Sequence, residues 1–175
     1  MNPDHRILAA RFDSLVWLRV AGKGSFQNSP DLKRYIEAAR AEGENTFVVD
    51  LEDCATMDST FMGTLTGIAT SMSGNESNAT LEVVNANHRN RQLLENLGLD
   101  QILQLDTDGS THTEQREKLS GMLEQVDAAK LGKAAQAQHV LEAHETLAAA
   151  HEDNLPRFTD VIEFLKKDLS KHEAS

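Results

Sequence analysis

Over the first two-thirds of the chain the apolar residues switch between two rhythms: short continuous or alternating runs, and stripes that recur every three to four positions. Residues 7–10 and 15–20 are runs of the first kind. In the second of them Leu15, Trp17 and Arg19 alternate with Val16, Leu18 and Val20, and apolar residues on both faces predict a central strand. Ala21-Gly22-Lys23-Gly24-Ser25 breaks that run, and Ser29-Pro30 predicts a helix opening with serine as cap and proline at its first position. Leu32, Tyr35, Ile36 and Ala39 supply its inner face. A strand is expected at 47–51 after Gly43, then a helix reaching Met72 through Phe61, Leu65 and Ile68, ended by the polar turn Gly74-Asn75-Glu76-Ser77-Asn78. Another strand follows at 80–84. Asn87 reads as the cap of a helix carrying Leu93, Leu94 and Leu97 inward, with Gly98 as its stop. A last strand at 102–105, a loop at 107–111 and a helix at 113–126 complete the series.

Helices separating the later strands predict an α/β fold with a mostly parallel sheet of four or five strands flanked by helices. From Asp127 the composition turns to Ala, His, Glu, Lys and Leu without a strand signal, punctuated by Gly132 and Pro156. The expected organisation is therefore a domain over residues 1–126 and a helical extension over 127–175. Val140, Leu141, Leu147 and Ala148 line one stripe of the extension, and Phe158, Val161, Ile162, Leu165 and Leu169 a stronger one. Such a stripe must be buried: against the domain, against a second copy in a homodimer, or against a partner, with the first two preferred.

Composition narrows the function classes. The chain has 175 residues, of which 39% are hydrophobic, and a net charge of −11. Without a strongly basic patch, long-range attraction to nucleic acid or to an anionic membrane is not expected, and protein partners fit better. No run approaches a membrane span or a signal-peptide core, so the cytoplasm is the expected compartment. The single cysteine, Cys54, has no internal partner and is expected as a packed side chain.

The candidate chemistry sits between the strand at 47–51 and the helix after it. Asp58-Ser59-Thr60-Phe61-Met62-Gly63 puts an acid and two hydroxyls on a strand-to-helix turn, with Asp58 as N-cap. Ser59 falls at the first helical position, where its hydroxyl is expected to face solvent. Read alone, this is an ordinary helix start. Gly63 and Gly67 lie opposite the apolar face of the helix, and each glycine costs about 1 kcal/mol relative to alanine, so the pair asks for a close approach. Packing of a neighbouring helix and docking of a partner both satisfy it.

The chain resembles the STAS family, the domain shared by anti-sigma factor antagonists and the cytoplasmic parts of sulfate-type anion transporters. Residues 58–63 are similar to that family's Asp-Ser-Ser-Gly-Leu-Gly-like signature, and Asn96-Leu97-Gly98-Leu99-Asp100 is similar to its link from third helix to last strand. The resemblance implies a non-enzymatic binder without cofactor. Ser59 corresponds to the phosphorylated serine, with Thr60 as the second candidate, and Asp58, Ser59, Thr60, Phe61, Met62, Gly63 and Gly67 are expected at the partner surface. Unphosphorylated, such a protein captures a kinase-type anti-sigma factor; phosphorylation by that serine kinase ends the capture, and a serine phosphatase resets it. Thr60-Phe61 departs from the family's Ser-Gly and places a ring near the expected surface, which implies a different partner choice. The alternative is a constitutive STAS scaffold module with no switch; a small-molecule or hydrolytic domain is the reading from another class.

Other features have weaker chemistry. Gly22-Lys23-Gly24-Ser25 lacks the spacing of a phosphate loop. His139, His144 and His151 are spaced by five and seven, which is not the helical i, i+4 pair of a zinc site, so no metal is expected and helix packing or solvation is the preferred role. Arg89 and Arg91, near a helix start, gain nothing from its dipole and are candidates for an acidic or phosphorylated group. No Ser/His/Asp or Cys/His constellation can be assembled from spacing.

Overall fold

A computed structural model describes residues 5–74, 77–106 and 112–173. Strands β1 (Arg6–Phe12) and β2 (Leu15–Gly24) form an antiparallel hairpin in which Phe12 faces Leu15. The two-residue turn places Asp13 and Ser14 at φ of 48° and 68°, the positive-φ pair that suits the right-handed twist of the strands. The chain continues through α1 (Ser29–Ala41), β3 (Thr46–Asp50), β4 (Cys54–Met57), α2 (Ser59–Met72), β5 (Thr80–Val84) and α3 (His88–Asn96). A 3-10 turn (Leu99–Gln101), β6 (Gln104–Asp106), α4 (Thr113–Leu119), β7 (Glu124–Gln125), α5 (Lys133–Ala150) and α6 (Asn154–Glu173) follow.

The sheet is mixed and has seven strands, not the four or five mostly parallel ones that the pattern predicts. Its order is β6-β5-β3-β2-β1-β7, with β4 pairing β2 off this path. β1 runs antiparallel to both β2 and β7, whereas the remaining pairings are parallel. The two extra strands are short. β4 continues from the β3 turn beside residues 22–24, and β7 takes the place of the second half of the helix expected at 113–126, because α4 stops at Leu119 and the chain returns to the outer edge of β1. Two boundaries also move. Asn28, not Ser29, is the N-cap of α1, and the strand expected at 102–105 begins at Gln104 after the 3-10 turn. The loop at 107–111, Asn75 and Glu76 of the polar turn, and residues 1–4 lie outside the described residues.

One face of the sheet carries the main core, where Val16, Leu18, Val20, Phe47 and Val49 meet Leu32 and Ile36 of α1, Phe61, Leu65 and Ile68 of α2, and Leu94 of α3. The other face is thinner: Trp17, Val48, Val84, Ala10 and Leu15 are covered by Leu119 of α4. Cys54 is buried in the main core, and burial pushes its thiol pKa up. Buried Asp50, at the end of β3, accepts hydrogen bonds from Trp17 Nε1 (3.2 Å), Arg19 Nε (3.0 Å), Asn85 Nδ2 (3.0 Å) and Glu52 N (2.9 Å). Four donors, one of them cationic, compensate the desolvation of that carboxylate.

The two C-terminal helices form a hairpin with an apolar cluster of their own, built on Leu141, Ile162 and Leu165 with Val140, Ala148, Val161 and Leu169 around it. This hairpin packs back on the domain, and α5 lies along α2. Leu147 is the buried α5 residue that enters the main core, with Ala150 and Phe158 at its margin. Asn154 Nδ2 closes the junction by donating to the carbonyls of Leu97 and Leu147, each at 2.9 Å.

Candidate functional site

Residues 58–67 start where β4 ends. Asp58 is the N-cap of α2, with extended backbone at φ −90° and ψ 173°, and its Oδ1 accepts from Phe61 N at 2.9 Å. Its Oδ2 accepts from Phe26 N at 2.9 Å, while its own N–H donates to Gly24 O at 2.9 Å. One short side chain therefore caps the helix and fastens it to the loop after β2. Glu52 pairs with Arg19 and Arg116, and Asp53 with Arg19, so neighbouring acids are already partnered.

The predicted site residues divide between two faces of α2. Phe61 points into the core and is fully buried; its ring lies so close to β2 that a Cβ on Gly24 would be 2.8 Å from it. The expected placement of that ring at a partner surface is thus corrected: the alternation that puts Leu65 and Ile68 inward also takes Phe61. Thr60 and Met62 are buried as well, at 4% exposure each. Ser59, Gly63 and Gly67 share the opposite face.

That face is not open. The Ser59 hydroxyl, expected in solvent, lies 2.9 Å from His144 Nε2 of α5. His144 Nδ1 is 2.7 Å from Val140 O. Because a carbonyl can only accept, Nδ1 carries the proton, and in the neutral ring Nε2 accepts from Ser59. Gly63 is where the helices cross most closely, since a Cβ there would stand 2.7 Å from the carbonyl carbon of Ala143. At Gly67 an added Cβ would be 3.6 Å from Thr146 Oγ1, an ordinary contact. Gly63 therefore serves a close approach, the approaching helix is α5, and Gly67 faces the same helix with room for a Cβ.

A second histidine anchors the same crossing. His139 Nε2 stands 2.8 Å from Ser29 Oγ and 3.3 Å from Thr64 Oγ1, joining α5 to α1 and α2 together. Burial, followed by the positive charge of Lys33, holds its pKa below the ordinary histidine value against the smaller opposing pull of Glu142 and Asp58. Gln136 Nε2 donates to Phe26 O at 2.8 Å, and Lys33 pairs with Glu142 at 3.5 Å. Spacing had made these histidines packing or solvated residues with no particular contact. For His139 the signal was the stripe Gln136, His139, Ala143, Thr146, which runs at helical spacing along one side of α5 and is polar or small throughout.

The Ser59–His144 pair holds two elements together. A cavity of about 310 Å³ lies between α1, α2 and α5, lined by Lys33, Arg40, Thr64, Ser71, His139 and Glu142 among others, and Ser59 is not in its wall. His144 is itself buried, with its ring edge-on to Phe158 at 5.4 Å. Among the described residues no group of three or more His, Cys, Asp or Glu is placed to hold a metal ion, and no helix is long and apolar enough to cross a membrane. Arg89 donates to Thr56 Oγ1 at 3.1 Å.

No curated protein matches the chain. Among solved structures it is similar to a protein assigned as an anti-sigma factor antagonist from Thermotoga maritima, at 23% identity and a TM-score of 0.52 over 64% of this chain and 92% of that one. It is also similar to the anti-sigma factor antagonist SpoIIAA in its unphosphorylated form, at 17% identity and a TM-score of 0.49 over 66% of this chain and 96% of that one. The first of these alignments spans nearly the whole of the other chain and about two-thirds of this one, a likeness of fold. The STAS domain model matches residues 6–114, more than half of the chain and including the whole of α2 with its cap; this chain belongs to the STAS domain family.

Proposed function

We propose that the protein is a cytoplasmic regulatory binding module of the anti-sigma factor antagonist kind. Unphosphorylated, it captures a kinase-type anti-sigma factor through the Ser59 face of α2; phosphorylation of Ser59 releases that partner, and a serine phosphatase restores binding. The observation that carries this reading is the position of Ser59: first residue of a helix capped by Asp58, beside a glycine face, in a STAS domain. A phosphate adds about −1.5 to −2 charges at this helix N-terminus, where the dipole tolerates an anion, so the domain keeps its fold. The partner bears the change. Losing about 3 kcal/mol of interface free energy weakens binding by more than a hundredfold.

The test is phosphosite mapping by mass spectrometry on protein isolated from stressed and unstressed cells, followed by affinity capture with Ser59→Asp and Ser59→Ala. Occupancy at Ser59 that changes between conditions, with capture lost in Ser59→Asp and kept in Ser59→Ala, is the expected result. Equal capture by both variants sinks the switch. A second reading, a constitutive interaction module, is favoured by the bond from Ser59 to His144, which already engages the hydroxyl within the chain. Protein unmodified at Ser59 and Thr60 in both conditions would decide for it.

A further inference from the structure

We propose that the hairpin of α5 and α6 is a reversible cover, docked over Ser59, Gly63 and Gly67 in the free protein and lifted before any other protein reaches that face. The observations are the composition of the contact and the self-sufficiency of the cover. Ser59 to His144, His139 to Ser29 and Thr64, Gln136 to Phe26, and Lys33 to Glu142 are polar contacts whose groups water would satisfy on release. At the crossing itself the contact is backbone to backbone, Gly63 against Ala143. The hairpin has an apolar cluster of its own around Leu141, Ile162 and Leu165, while Leu147 enters the domain core with Ala150 and Phe158 at its margin and Asn154 donates to Leu97 O. Residues 127–132, which connect the hairpin to β7, have no regular structure and are mostly exposed, and are held to α1 by Arg34 donating to Asp127 O and Ala129 N donating to Asp31 Oδ1. A unit with its own core, polar contacts beneath and an irregular tether can leave as a body.

What the cover admits rests on the reading of Ser59 given above. Ser59 is half-buried and its hydroxyl is engaged by His144 of α5, so transfer of a phosphoryl group to Oγ requires that bond to break and needs more room than the 2.9 Å between Oγ and His144 Nε2. Binding and modification therefore both select the lifted form, and by linkage both hold it lifted. A face open about 1% of the time lowers apparent affinity about a hundredfold, so the cover sets the threshold for capture.

The test uses the full chain and no partner, so its outcome is independent of whether Ser59 is ever phosphorylated. In a Cys54→Ala background, the thiol of Ser59→Cys is labelled with iodoacetamide and followed by peptide mass spectrometry, beside Ser170→Cys as an exposed reference. The same chain carrying Gly67→Cys and Thr146→Cys is measured with that pair oxidised and reduced, so that α5 is alternately tethered to α2 and free. Labelling at position 59 at least tenfold slower than the reference, slowed at least tenfold again by oxidation and restored by reduction, is the expected result. Labelling at the reference rate would show that the face is not covered. Protection that oxidation leaves unchanged would show that α5 does not lift. Either overturns the proposal, and Gly63→Leu, which forces the helices apart, should raise the rate toward the reference if it holds.

Discussion

Two carboxylates set the local order, and their loss has different consequences. Asp50 receives four donors in a site with no exposure. Asp50→Ala leaves Arg19 and the Trp17 N–H without their buried acceptor and is expected to lower unfolding free energy by about 3 to 5 kcal/mol, read from urea denaturation. Asp58→Ala removes the cap and the tie to Phe26, with an expected loss of about 1 to 2 kcal/mol in the same assay, and Asp58→Asn should recover most of it. The cap was legible in the sequence because its determinants are local: a strand, a short acid and a helical stripe within about fifteen residues. The fate of the Ser59 hydroxyl was not, since its acceptor is 85 positions away. Phe61 was read by analogy as a surface ring, although its own periodicity with Leu65 and Ile68 already assigned it to the core.

At the scale of elements, the long strands and helices follow from their apolar rhythm, and the misses are those whose existence depends on a neighbour. β7 has two residues, both polar and exposed, and exists because β1 presents an unpaired edge. β4 has four, of which Cys54 and Met57 are buried, and its pairing with β2 is a tertiary event. The docking of α5 belongs to the same class, and it should respond to acid. His139 has its pKa lowered in the docked state, where Lys33 adds to the effect of burial and Glu142 and Asp58 oppose it. A released His139 binds its proton more readily. Its contribution to docking is thus complete above the ordinary histidine pKa, about 6.5, and falls as pH drops toward the docked value. Amide hydrogen exchange in α5, corrected for intrinsic rates, should accelerate between pH 7.5 and 5.5, and His139→Gln should flatten that dependence.

For the whole molecule, a hairpin with an apolar cluster of its own beside the two that flank the sheet predicts two cooperative units. The single tryptophan, Trp17, is buried on the far side of the sheet from the hairpin, so its fluorescence reports the domain while far-ultraviolet circular dichroism is weighted toward the long helices α5 and α6. In urea the dichroism transition should begin at lower denaturant than the fluorescence transition; superimposable curves would mean one unit. Folding back buries Ile162 and Leu165 of the α6 stripe and half-buries Phe158, Val161 and Leu169, while Phe164 and Leu155 of the same helix remain exposed. The order of strands also has a temporal side. Every partner of α2 within the sheet domain precedes α5 in the chain, so a polypeptide emerging from the ribosome presents the Ser59 face before α5 and α6 have emerged to dock on it. Each newly synthesised molecule therefore passes through an interval in which that face is uncovered, whatever state the finished chain adopts.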